Sequence, residues 1–303
     1  MTELGINPDI LGPNRKTDLT HLSLGKKSKL LLEQNQALSD AISTFTVEAS
    51  SPSSGNVALL LPGIVHTPRV VFEHQIPTFS ELKYNVIGIN YSDNAHSQEL
   101  LKAQIADFIG NPVNSGKAIT LVGVSLGAGA IIDLLANAGI GEFSNVRNAI
   151  MLGTIYSLAD LKNGPLGNAF RLADRFARGP VAERAVRLGK RFLKVDRLYA
   201  GTDGSRSAEV KNELQSISDQ ALLERLTAIS GNTKDAEELG TIKDVPVLFG
   251  WWEEDYASPE ARQKLEGLFP NRRKFLIDGH HGWTSSGAAH INGAIEKFLS
   301  PQG

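Results

Sequence analysis

The 303 residues are enough for one large α/β domain with an insertion, or for two small domains, and an apolar share of 41% is ordinary for a chain with a sizeable core. A net charge of −2 argues neither for a nucleic-acid binder nor for an acidic tail. With no cysteine, disulfide frameworks, thiolate metal sites and cysteine nucleophiles are excluded, and a reducing compartment fits.

The first sixteen residues, MTELGINPDILGPNRK, have no basic region followed by an apolar run, so the reading is of a soluble, cytoplasmic chain without a secretory signal. Residues 1–28 are polar and read as a surface arm. Residues 29–43 carry loosely helical apolar spacing, which makes 1–43 an N-terminal arm and helix. Residues 44–49, TFTVEA, alternate and read as a strand, and SSPSSGN is a turn. Residues 57–61, VALLL, form a continuous apolar run, as in a strand covered on both faces, stopped by Pro62-Gly63. Residues 85–90, NVIGIN, are the next strand, and 98–109 an amphipathic helix. Residues 118–135, AITLVGVSLGAGAIIDLL, read as strand, sharp turn and helix, and 146–152 as another strand.

Strand and helix alternate with short links, which predicts a mostly parallel central sheet with helices on both faces. Ligands bind such sheets beyond the carboxyl ends of the strands. Between 154 and 240 the pattern becomes helical and charged. Arg171, Arg175, Arg178, Arg184, Arg187, Lys190, Arg191, Lys194 and Arg197 line one side of two helices. That stripe reads as a solvated face, or as weak attraction for an anion or a membrane surface. The segment interrupts the sheet, so it should lie over the carboxyl edge as a cap. Residues 245–249, VPVLF, resume the sheet, followed by the loop 250–255, GWWEED. Ser258 and Pro259 open a helix to 268. Residues 274–277 are the last strand, leading into DGHHGW, and 288–299 are the closing helix.

The turn in the 118–135 stretch is Gly123-Val124-Ser125-Leu126-Gly127, a G-x-S-x-G. Glycines two before and two after the serine suit a tight turn that exposes the hydroxyl, and the next N–H is free to meet a carbonyl oxygen. Rival readings fail on pattern. A membrane span does not fit a strand-like half followed by Gly, Ser and Ala. A dinucleotide fingerprint needs a different glycine spacing, and GNPVNSGK at 110–117 is one residue too long for a phosphate loop and precedes a strand. A serine needs a base, and the base a carboxylate. The chain offers Ser125, then Asp255, then His280, each where a strand ends. Glu253 and Glu254 compete with Asp255, and His281 with His280. His66 and His96 are remoter bases, while His21, His74 and His290 read as structural or surface residues.

Taken together, LLLPGI, GVSLG, VPVLFGWWEEDYASP and DGHHGW, in that order, resemble the α/β-hydrolase superfamily over about 44–299. The resemblance implies an α/β-hydrolase core at 44–153 and 241–303, a helical cap inserted at 154–240, and a serine hydrolase of carboxylic esters, thioesters or related acyl substrates. It implies Ser125, Asp255 and His280 as the triad, Asp255 because Pro259 follows four residues on and His280 because it follows a glycine. It also implies an oxyanion hole from the N–H groups of Ile64 and Leu126, although Pro62-Gly63 stands where many members have His-Gly. Acyl transfer would use the same groups, and a non-catalytic binder the same fold. His66, Trp251, Trp252, His281 and Trp283 are candidate substrate-lining residues, with core packing the first role for the tryptophans. No cofactor, metal, nucleic acid or transmembrane segment is expected; the partner is a small acyl substrate.

Overall fold

A computed structural model describes residues 43–47, 55–63, 67–90, 98–111, 114, 116–137, 143–157, 160–162, 245–280 and 287–300, with isolated positions between 168 and 242. Seven strands form one sheet in the order β1-β3-β2-β4-β5-β6-β7. They are β1 (Ser43–Val47), β2 (Asn56–Leu61), β3 (Asn85–Asn90), β4 (Ala118–Val124), β5 (Val146–Leu152), β6 (Val247–Glu254) and β7 (Arg272–His280). β1 pairs antiparallel with β3 at one edge, and every other neighbouring pair is parallel.

The apolar runs are explained by two-sided burial. In β2, Val57, Leu59 and Leu61 enter one hydrophobic cluster, and Ala58 and Leu60 enter the other. A strand whose alternate side chains both meet helices has no polar face, so it reads as a continuous run. The first cluster is completed by α3 (Gln98–Gly110), α4 (Leu126–Asn137) and α5 (Pro259–Gly267). The second is completed by α1 (Pro68–Val71), α2 (Gln75–Glu81) and α6 (Ala288–Leu299), and the segments beside them. The result is a three-layer arrangement with the strand ends left open to loops.

Ser258 caps α5 as its sequence suggests: its hydroxyl accepts from the Ala261 N–H at 3.1 Å, and Pro259 takes the first turn. Two elements depart from the sequence reading. β6 does not stop at Phe249 but runs through the residues taken for a loop, to Glu254. Gly250 is there for space, not for a turn: a Cβ would lie 2.6 Å from Leu152 Cδ2 and 2.8 Å from Phe275 Cζ. β7 is also longer than 274–277: exposed Arg272 and Arg273 join the ladder on the edge strand, and the strand runs on to His280. The short helices α1 and α2 carry no reading in the sequence, though Thr67-Pro68 is a helix-start signal. The helix expected at 29–43 lies outside the described residues, except Ser43, which begins β1.

One charged pair is built into the packing. Lys102 on α3 donates to Asp133 on α4, with both side chains nearly buried, and Asn137 Nδ2 donates to the same carboxylate at 2.9 Å. Removing one partner strands the other charge in the interior. Lys102→Met should therefore destabilise the protein by about 3 kcal/mol in a denaturant titration, and the double variant Lys102→Met with Asp133→Leu should recover most of that loss.

Candidate active site

β4 carries Ser125 to the carboxyl edge, and the chain then reverses into α4. Ser125 has φ 54°, the left-handed region that non-glycine residues rarely occupy, at a cost of about 1–3 kcal/mol. The surroundings hold it there. Its N–H donates to Leu152 O at 2.9 Å, and its carbonyl accepts from Gly129 N at 3.1 Å. A Cβ on Gly123 would lie 2.6 Å from Ala128 N, and one on Gly127 would lie 2.3 Å from Leu61 O. Both glycines are thus required by backbone packed against backbone. Gly129 is equally confined, 2.4 Å from Ile155 O by the same measure. Gly63, after β2, lies beside the serine: its Cβ position is 3.4 Å from Ser125 Cβ. Leu126 opens α4, so its N–H has no acceptor within the helix. Ser125 itself is 9% exposed.

Two strands away, burial separates the three adjacent acids. Glu253 and Glu254 are exposed, whereas Asp255 is buried. The Asp255 carboxylate accepts from the Trp252 N–H at 3.2 Å and the Ala257 N–H at 3.3 Å. Burial, and then the neighbouring Asp255 charge, push the Tyr256 phenol up to about 12. In the β6–β7 ladder Glu254 stands opposite His280, past an irregularity between Trp252 and Glu254. The backbone of His280 therefore ends the strand adjacent to Asp255. Gly279 before it has φ 96°, a turn that glycine makes without strain.

Similar folds are found among solved structures. MenH from S. aureus matches with a TM-score of 0.62 and 18% identity, covering 84% of this chain and 97% of that one. A structure described under novel epoxide hydrolases of the α/β-hydrolase superfamily from hot-environment metagenomes matches at TM-score 0.64 and 20% identity, covering 86% and 96%. An esterase from Exiguobacterium antarcticum matches at TM-score 0.63 and 14% identity, covering 85% and 94%. The chain has the α/β-hydrolase fold. No family model and no curated protein matches it by sequence.

Within this α/β-hydrolase fold, the structure brings Gly63, Ser125, Leu126 and Asp255 to one edge of the sheet, with the His280 backbone at the same edge. Ile64, His66, His96, His281, Trp283 and the His280 side chain lie outside the described residues, as does nearly all of the expected cap with its basic stripe. Trp251 and Trp252 are both packed in the core. Trp251 donates its indole N–H to buried Glu266 at 3.0 Å and stacks on Phe249, while Trp252 is buried on the opposite face of the sheet. His74 precedes α2, where its carbonyl accepts from Asn292, and His290 lies on α6 against Phe275. Among the described residues no cluster of potential metal ligands occurs, and no helix is long and apolar enough to cross a membrane.

What the sequence reading missed at this edge is the segment just after β5. Ile155, Asp160, Leu161 and Lys162 lie between the serine turn and the Asp255 loop. Only Asp160, three residues after Ser157 in a run that leaves a strand, offered any signal, that of a local carboxylate-to-backbone turn.

The raised phenol gives a signed prediction. Tyr256 is held neutral in the fold, so its contribution is fully present below pH 10 and is lost as pH rises towards about 12. Denaturation midpoints measured between pH 9 and pH 12 should fall in that window. The fall should be visibly shallower in Tyr256→Phe.

Proposed function

We propose that the chain is a serine hydrolase that cleaves carboxylic esters, thioesters or related activated acyl groups through an acyl-enzyme at Ser125. The observation that carries the reading is the conformation of Ser125 itself. A left-handed serine is costly, and here it is held in place by three glycines and a ladder hydrogen bond. A strained residue over-determined by its surroundings is a signature of a functional site. The similar structures include an esterase and one described under epoxide hydrolases, so the fold by itself leaves the bond open. A serine nucleophile points to acyl chemistry.

In the proposed cycle His280 takes the Ser125 proton as the oxygen attacks the carbonyl carbon. The carbonyl π electrons move to oxygen, and the oxyanion sits against the N–H groups of Leu126 and Ile64. The leaving alkoxide or thiolate departs with the proton returned by the imidazolium. Water then attacks the acyl-enzyme by the same steps in reverse, releasing the acid. Asp255, buried and held by two backbone N–H groups, is the fixed charge that orients His280 and stabilises the imidazolium. His280 ends the strand next to Asp255, whereas Ser125 stands three strands away, roughly 14 Å at the usual strand spacing. His281 is the alternative base. Residues 154–240 are proposed as the cap over this edge, with its basic stripe as a surface for anionic substrates or headgroups. An alcohol or amine in place of water would make the same groups an acyltransferase.

Wild-type protein should label with a fluorophosphonate and turn over p-nitrophenyl esters, while Ser125→Ala should do neither. Equal labelling of both proteins would remove Ser125 as nucleophile, and an inert wild type would favour a non-catalytic binder. Asp255→Asn should lower kcat on the order of 10²–10⁴-fold. Glu253→Gln and Glu254→Gln should stay within about twofold of wild type, since exposed charges couple weakly to the site. Comparing His280→Ala with His281→Ala identifies the base: the true base costs at least about 10²-fold in kcat, its neighbour far less.

A further inference from the structure

We propose that Asp160 is a positioning residue, holding residues 155–157 and 160–162 as a brace between the turn that carries Ser125 and the loop that carries Asp255. The inference rests on the reading of those two residues as nucleophile and acid.

The brace begins where β5 ends. Gly153, at φ 52°, reverses the chain after its N–H has joined the ladder by donating to Gly250 O at 2.8 Å. The next residues cross the start of α4. Ile155 N approaches Ser125 O at 3.5 Å, and the Ile155 carbonyl fills the space that a side chain on Gly129 would need. This end of the segment is packed directly on the serine turn.

The other end is tied to the Asp255 loop by a short antiparallel pairing. Leu161 bridges Ala257, Lys162 N donates to Tyr256 O at 2.8 Å, and Ser258 N donates to Asp160 O at 2.9 Å. Those contacts bracket Ala257, whose own N–H donates to Asp255 Oδ1. Moving the brace therefore moves a donor that holds the carboxylate. Leu126, Ile155 and Leu161 pack together with Tyr256, so one apolar cluster includes the residue after the serine and the residue after the acid.

Asp160 sets the shape between the two ends. Its Oδ2 accepts from the Ser157 N–H at 2.7 Å and the Tyr156 N–H at 3.3 Å, while its own N–H donates to Ser157 O at 3.2 Å. One carboxylate oxygen thus closes the turn that aims residues 160–162 at the acid loop. The raised Tyr256 phenol agrees with a packed, water-poor junction at that point. The brace joins residues distant in sequence, and sub-ångström fit at a triad is where such a link matters. A misplacement of about 1 Å can cost on the order of 10²-fold in rate.

The test uses the full chain and three variants. Asp160→Ala removes both acceptor bonds. Asp160→Asn keeps an oxygen that can accept the same two N–H groups. Lys162→Pro deletes a single donor of the pairing while keeping Leu161 extended. Amide exchange followed by NMR should be at least about tenfold faster at Ser258 in Asp160→Ala, and close to wild type in Asp160→Asn. On a p-nitrophenyl ester, kcat should fall about 10- to 100-fold in Asp160→Ala with KM within about threefold, be largely restored in Asp160→Asn, and be intermediate in Lys162→Pro. A misaligned Asp255 stabilises the imidazolium less, so the acid limb of the kcat–pH profile should move to lower pH in Asp160→Ala. Unchanged exchange at Ser258 overturns the brace. Faster exchange with unchanged kcat and unchanged acid limb overturns the positioning role. If Asp160→Ala does not fold, Lys162→Pro decides by the same readings. If the wild type neither labels nor turns over esters, the serine-hydrolase reading has failed separately, and exchange alone decides whether the brace exists.

Discussion

The structure depends on a close approach of backbone to backbone around one left-handed serine. Ser125 cannot hold φ 54° by itself; the chain holds it because α4 starts directly behind β4 and against the end of β2. That approach leaves no room for a Cβ at Gly123 or Gly127, where the nearest atoms are main-chain ones that cannot rotate away. The strain of one residue is offset by the burial of two strands and a helix that meet only in this geometry. Rigid placement of a hydroxyl at a sheet edge follows from it, with the first N–H of the helix alongside.

Burial also sorts the charges. Three acids stand in a row, but the strand that carries them leaves Glu253 and Glu254 exposed and turns Asp255 inwards, against two N–H donors. Two backbone N–H donors take the place of the water that the buried carboxylate loses. The Lys102–Asp133 pair and the Trp251–Glu266 bond follow the same rule elsewhere in the first hydrophobic cluster. In each case a polar group enters the interior only with a partner.

Much of the frame was legible because burial writes itself into sequence. VALLL and NVIGIN read as strands covered on both sides, and Ser258-Pro259 read as a helix start, since each rests on a local rule. GWWEE did not read as strand, because glycine and two acids look like a loop until Gly250 is seen between Leu152 and Phe275. Arg272 and Arg273 were similarly hidden: on an edge strand, charge is compatible with pairing. Which face of the sheet Trp251 and Trp252 each pack on was likewise not legible, since neighbouring tryptophans in a strand point to opposite sides.

By itself the sequence determined the alternating strand–helix order, the tight serine turn and the order of serine, acid and histidine along the chain, because these follow from spacing, side-chain size and steric limits within a few residues. Tertiary structure alone decided which carboxylate of the three is buried, why each glycine at the turn must be glycine, and that Ile155 meets the serine turn while residues 160–162 pair with the loop after Asp255. Those facts are set by contacts between segments far apart in the chain. No local pattern records which atom of a distant segment comes to fill a given space.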